Sequence, residues 1–238
     1  MKLITLLLLL CTLPLLSQDW WPAAGLSQQQ ISAGGGGGGG SKALVFNGIT
    51  TSSTITKTTT GSSFILLVEN GHNGTPGAPS DSLGNTPTQV AMATNDAVTF
   101  GLAAWAFYAP TTGSDTFTAG ANTSVMEVSG WSGTQSGSAA FDGSSTNGVP
   151  PASINGASAQ CGLVTPSTSS DLFLAIAANE IGTSSTIAFT NTYTLLDTNY
   201  PSPCLGVAYQ LSTSNSAANP VVVFGQSDWI VTAHIAVK

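Results

Sequence analysis

The sequence predicts an all-β fold, a single antiparallel β-sandwich or barrel, and three observations lead there. No segment sustains an apolar i, i+3, i+4, i+7 pattern built from good helix formers. About a dozen short runs rich in Val, Ile, Thr and aromatic residues alternate with Gly, Asn, Asp and Pro turn signals, the spacing of a sandwich or barrel. The final stretch alternates strictly: Trp229, Val231, Ala233, Ile235 and Val237 against Ile230, Thr232, His234 and Ala236, the period of a strand.

The first 25 residues read as a signal peptide. Lys2 is a minimal charged start, and Leu3 to Leu16 is an apolar run interrupted by Thr5, Thr12 and Pro14. That run matches a leader and falls short of the roughly 20 residues needed to span a bilayer. Ala23-Ala24-Gly25 offers small residues for cleavage after Gly25, with cleavage nearer Ser17 and an uncleaved anchor as the alternatives. Cys11 lacks the small preceding residue of a lipidated cysteine. Residues 26–41, with seven consecutive glycines at Gly34 to Gly40, form a flexible Gly-rich tether, because polyglycine has no side chains to pack. Residues 42–238 form one β-sandwich domain, a length that one core can serve.

Within the domain, Ala43-Leu-Val-Phe46 is a short apolar strand, and Thr50 to Thr60 is an extended, half-exposed Thr/Ser segment. Ser63 to Val68 is nearly continuous in apolar residues and too short for a helix, hence a buried strand. Glu69 to Ser80 is a loop. Asp81-Ser-Leu-Gly-Asn85 is turn chemistry, because Asp and Asn bond their own backbone and Gly84 takes positive φ. Two strands follow, Gln89–Thr94 and Val98–Ala109, joined at Asn95-Asp96. Asp115–Ala119 and Ser124–Val128 are short strands, and Trp131 to Pro151 is a long polar stretch. Further strands are expected at Ala159–Val164, Asp171–Ala178, Thr186–Phe189, Thr192–Leu196, Gly206–Ser212 and Val221–Phe224. The runs at Phe64, Leu172 and Val221 supply the core.

Composition excludes some partners. Charged residues are 6% of the chain, there is no arginine, and the net charge is −7. A nucleic-acid partner needs a basic footprint that is missing here, and an anionic membrane surface is disfavoured for the same reason. Cleavage of the leader leaves no segment for membrane insertion. It also leaves two cysteines, Cys161 and Cys204. In an oxidising compartment such a pair most simply forms one disulfide, with two buried free thiols as the alternative.

From about Lys42 onward the chain resembles a family of secreted bacterial β-sandwich modules. Ala43-Leu-Val-Phe46, Phe64-Ile-Leu-Leu-Val68, the Asp81-Ser-Leu-Gly-Asn85 turn, Trp105-Ala-Phe-Tyr108, Val125-Met-Glu-Val-Ser-Gly130, Asp142-Gly143 and Asp171-Leu-Phe-Leu174 carry the resemblance. It implies a jelly-roll-like sandwich outside the cell, with no established catalytic residues to transfer. Trp131 stands where a smaller residue is expected.

No chemistry stands out. His72 lies in a Gly/Asn/Pro loop and His234 falls on the polar face of the last strand, and no Gly-x-Ser-x-Gly elbow is present, so a Ser–His–Asp triad is not expected. Most carboxylates sit at turns, although Glu69 and Glu127 end apolar strands and could face a cleft, where a carboxylate pair would suggest a glycosidase. No cofactor is expected apart from calcium, for which Asp81 with Asn85, or Asp142 with Asn147, offers oxygen ligands. Trp131 and Tyr200 are aromatics in polar loops, candidates for stacking on a glycan. Asn73 and Asn122 head glycosylation sequons. The expected function is therefore a non-enzymatic extracellular or cell-surface structural or adhesive component. Its partners would be copies of itself, added through the N-terminal arm, or other surface components. The alternative is a carbohydrate-binding module for extracellular polysaccharide.

Overall fold

The computed structural model describes residues 41–95, 99–147, 154–180, 186–190, 192–199 and 204–238. The expected leader, residues 26–40 of the tether and Tyr200 lie outside them. The described chain is antiparallel β-structure with one short 3₁₀ turn, Gly137–Ala140. Its first part contains β1 (Ala43–Thr50), β2 (Thr54–Thr58), β3 (Phe64–His72), β4 (Ser80–Asp81), β5 (Thr88–Thr94), β6 (Phe100–Tyr108), β7 (Ser114–Thr118) and β8 (Val125–Ser132). The second part contains β9 (Phe141–Asn147), β10 (Ile154–Gln160), β11 (Leu172–Asn179), β12 (Ile187–Phe189), β13 (Thr194–Asn199), β14 (Cys204–Leu211) and β15 (Val221–Val237). β9 lies inside the stretch expected to be a loop, because its pairing comes from β15 and not from its own Ser- and Gly-rich composition.

The strand order shows that the fold is built twice. In the first half one sheet runs β1-β8-β3-β6-β5, and a three-stranded flap runs β2-β7-β4. In the second half the sheet runs β9-β15-β11-β14-β13, and a flap of β10 and β12 flanks the start of β15. One long strand does there what β7 and β8 do separately. Its first residues pair with the flap and its last residues with the sheet, and the corner falls between Val223, opposite Ser158, and Asp228, opposite Gly156. Strands 1, 8, 3 and 6 in one layer with 2, 7 and 4 in the other is jelly-roll order, so the jelly-roll character occurs once in each half.

Even the irregularities repeat. Leu44 faces Trp131 and Phe46 faces Gly130, leaving Val45 as a bulge; Phe141 faces Val237 and Gly143 faces Ala236, leaving Asp142. Likewise Gln89 and Ala91 face Trp105 and Ala104 around Val90, while Leu195 and Asp197 face Ala208 and Val207 around Leu196. These registers define twin positions in the two halves. The bulges also lock the halves together reciprocally. Asn47 Nδ2 donates to Leu196 O at 3.2 Å, and its twin Ser144 Oγ donates to Val90 O at 2.7 Å.

The two large sheets pack face to face as the β-sandwich. Phe64, Leu66, Val68, Leu102 and Trp131 from one meet Leu172, Leu174, Ile176, Val207 and Ile235 from the other. Each sheet is also covered on its outer face by its own flap. Ile65, Leu67, Trp105 and Phe107 lie under Phe117 of β7, and Phe173, Ala175 and Ala208 lie under Val222 and Phe224 of β15. Strands buried on both faces carry apolar residues at consecutive positions, which is why Phe64–Val68 and Leu172–Ala178 read as unbroken runs. The second flap also covers the face of β15 expected to be polar, so His234 is fully buried.

The expected disulfide is not formed: Cys161 and Cys204 are both free, buried thiols of one apolar cluster. Cys161 leaves the flap strand β10 with its amide on Pro220 O, whereas Cys204 opens β14 opposite Asn179 in the large sheet. Burial pushes both thiols up to about 12, which keeps them protonated and unreactive.

Candidate functional site

Two buried carboxylate clusters have no counterpart at their twin positions. The first gathers Lys42, Asp142, Asp171 and Lys238. Asp142 is the bulge residue of β9, Asp171 precedes β11, and Lys42 and Lys238 flank β1 and β15. Asp142 Oδ1 is 2.7 Å from Lys238 Nζ, and its other oxygen accepts the Ser167 amide. Asp171 Oδ1 accepts the Thr168 hydroxyl, while Oδ2 has no protein donor. A proton held between Asp171 and the neighbouring Asp142 turns their contact into a hydrogen bond. Burial raises the Asp171 carboxyl, and Asp142 raises it further. Burial also pulls Asp142 upward, but hydrogen bonds from Asp171, Lys238 and Ser167 outweigh it and hold Asp142 down. Two carboxyls driven apart in this way lose their protons in separate steps, and below the Asp171 value of about 6 the pair holds one acid and one carboxylate. Lys42 Nζ donates to Ser170 O at 2.5 Å, and burial lowers its ammonium against a partial opposing pull from Asp171. The twin positions hold Ala139, Val45, Ser63 and Ser132.

The second cluster lies where β1 of one half meets β13 of the other. Glu127 points into the sandwich from β8 with both oxygens buried and without donors. Burial, then the nearby Asp197 charge, push its carboxyl well up. Asn47 Nδ2 bridges to Asp197 Oδ2 at 3.1 Å, and Lys57 Nζ donates to Asn47 O at 2.8 Å. Lys57 reaches that carbonyl over Gly48, where a Cβ would meet Nζ at 2.1 Å. Burial also raises Asp197. The twins of Glu127 and Asp197 are Ala233 and Ala91. A fold that accepts alanines at one of two equivalent places does not need charges at the other.

The remaining sequence candidates fall elsewhere. Trp131 is only 1% exposed, so the reading of it as a surface platform for sugars is corrected. Its indole belongs to the main core, 5.2 Å from the Tyr209 ring, with Nε1 3.4 Å from Ser129 Oγ. Asp81 and Asn85 do come together: Asp81 Oδ1 accepts the Asn85 amide at 2.8 Å, and Asn85 in turn holds Thr111 N at 2.6 Å. Gly84 takes φ 74°, as the turn requires. Asp115 joins this turn by accepting Ser82 N and Oγ. Asp142 is engaged as described above, and the side chain of Asn147 lies outside the described residues. Asn73 and Asn122 are exposed left-handed residues on two adjoining turns, with φ 76° and 64°. Glu69 is fully buried and holds the β7–β8 connection by accepting Gly120 N at 2.6 Å and Thr123 Oγ1 at 3.1 Å. His72 and His234 lie on different strands in different sheets. Among the described residues, no group of three or more His, Cys, Asp or Glu converges as metal ligands would.

Of the cluster members, only Glu127 carried a local warning in the sequence, as a carboxylate ending an apolar strand. Lys42, Asp171 and Asp197 sit at strand ends and bulges, where charge is ordinary, and their partners are distant in the chain. No family model, curated protein or solved structure matches the chain.

Proposed function

We propose that the protein is a non-enzymatic extracellular or cell-surface component with a structural or adhesive role, able to assemble with copies of itself through its N-terminal arm. The observation that carries this reading is the use made of the charges. Lys42, Asp142, Asp171 and Lys238, like Asn47, Lys57 and Asp197, tie strand to strand and half to half. The outward face of the first flap, by contrast, presents hydroxyls: Thr54, Thr56, Thr58, Ser114 and Thr118, with Thr56 and Thr116 hydroxyls 2.8 Å apart. A neutral surface over an internally locked body suits a passive extracellular module. The bulges in the edge strands β5 and β13 discourage edge-to-edge pairing, leaving the arm as the natural connector.

The test is negative-stain microscopy with light scattering on the secreted protein, with and without residues 26–41. Ordered assemblies that disappear with the arm are expected. A monodisperse monomer in both forms removes self-assembly.

A second reading has its own support in the same hydroxyl face, which suits a neutral, hydroxyl-rich polysaccharide. Thr56→Glu with Thr116→Glu would then abolish retention on insoluble polysaccharide, whereas Trp131 plays no part. Calcium at Asp81 and Asn85 stays within the proposal as a turn-pinning ion. A rise in Tm on adding calcium, reversed by a chelator, supports it, and an unchanged Tm removes it.

A further inference from the structure

We propose that Lys42 and Asp171 are the two ends of an intramolecular amide cross-link that the folded protein forms by itself, with Asp142 as the group that carries the proton. The site is closed. Lys42 is 5% exposed, Asp171 is 0% exposed and the Asp142 side chain is 6% exposed. With so little of each side chain exposed, the partners within reach of each group are the protein's own.

The three groups are those that amide formation requires. Lys42 Nζ is held on Ser170 O, at the residue before Asp171, and burial drives its amine toward the neutral, nucleophilic form. Asp171 presents a buried carboxyl oxygen with no protein donor, turned to Asp142. Asp142 is kept as the carboxylate by Lys238 Nζ at 2.7 Å and by the Ser167 amide. In the step, the Lys42 lone pair adds to Asp171 Cγ. A proton from Nζ passes through Asp142 to the Asp171 hydroxyl, and that hydroxyl leaves as water. One C–N bond forms, one C–O bond breaks, and nothing is oxidised or reduced. Burial of Lys42 and Asp171 limits the water that would reverse the reaction, and fixed neighbours can act at effective concentrations on the order of 10⁵–10⁸ M.

The twin position strengthens the assignment. The same corner of the other half holds Ala139, Val45, Ser63 and Ser132 without any ionisable group, so strand pairing does not call for this cluster. The bond would join the start of β1 to the start of β11, one half to the other, at the point where the tether enters the fold. It does not depend on whether the protein assembles.

Peptide mapping of the purified full chain by mass spectrometry tests it. The expected result is a peptide containing Lys42 joined to one containing Asp171, lighter than the two together by one water. Lys42→Arg and Asp142→Asn, each verified as folded by circular dichroism, are expected to return the two peptides unjoined. Unjoined, unmodified peptides from the wild-type protein after prolonged incubation at mildly acidic and neutral pH overturn the cross-link. A joined pair formed at the wild-type rate in Asp142→Asn overturns the role of Asp142.

Discussion

His234 is neutral in the folded protein, and its tautomer follows from its partners. Nδ1 lies 2.9 Å from Gly162 O, which can only accept, so Nδ1 carries the proton and Nε2 accepts from the Tyr193 hydroxyl at 2.7 Å. Burial lowers its pKa from 6.5 to about 4. The folded value lies below the unfolded one, so the contribution is complete above pH 6.5 and is lost as pH falls toward 4. The ceiling is about 3 kcal/mol. The double variant His234→Phe/Tyr193→Phe keeps the bulk and removes both polar groups, and its urea midpoint should decline less than the wild type's over that interval. Glu69 works in the opposite direction. Burial raises it from 4.5 to about 7 against the hydrogen bonds it accepts. Its folded value lies above the unfolded one, so stability is complete below pH 4.5 and declines as pH rises through 7. Glu69→Gln keeps an acceptor for Gly120 and Thr123, and should remove up to about 3 kcal/mol of pH dependence between those limits, measured by urea titration at several pH values.

At the scale of the elements, the repeated bulges show that register, and not residue identity, is what the two halves share. Phe46 lies over Gly130 in the first half, while Gly143 lies beside Ala236 in the second, so the large and small partners are distributed differently at twin positions. A Cβ on Gly130 would meet the Phe46 ring at 2.1 Å and Ser62 Oγ at 2.5 Å. Gly130→Ala should therefore cost about 1–3 kcal/mol by overpacking, read as a lower Tm, although its twin position already carries an alanine. If Gly130→Ala matches the wild type, the β1–β8 packing described above is wrong. Leu174, in contrast, sits in the central core, where Leu174→Ala should cost about 2–5 kcal/mol.

The whole molecule consists of two jelly-roll halves packed through their large sheets, and the join lies in the short stretch between β8 and the 3₁₀ turn. Each half keeps its own sheet and flap, and the apolar faces of the two sheets are complementary. Residues 42–134 and 135–238 expressed together as separate chains should therefore associate into a folded heterodimer, seen as co-purification and a single cooperative melt. Two chains that stay apart and unfolded would show that the halves do not close their own strand networks.

Local patterning determined the all-β class, the core strands around Phe64 and Leu172, the Asp81–Asn85 turn and the period of the last strand, whereas the run at Val221, expected in the core, is a flap strand with Val223 exposed. These features depend on side-chain alternation and turn chemistry within a few residues, and the folded chain retains them. The duplication was not legible. Twin positions such as Phe64 and Leu172, or Glu127 and Ala233, agree in register and face but not in identity, and register exists only once strands pair. β9 has no local signature for the same reason, its Ser and Gly residues being held in a strand by β15. Burial was likewise decided by tertiary structure: the packing of the two large sheets encloses Trp131, and the second flap puts His234 and both thiols out of reach of solvent. The charged clusters bring together Lys42 with Asp171 and Glu127 with Asp197 across long chain separations. Only the packing of one half on the other creates the dry surroundings that set their protonation.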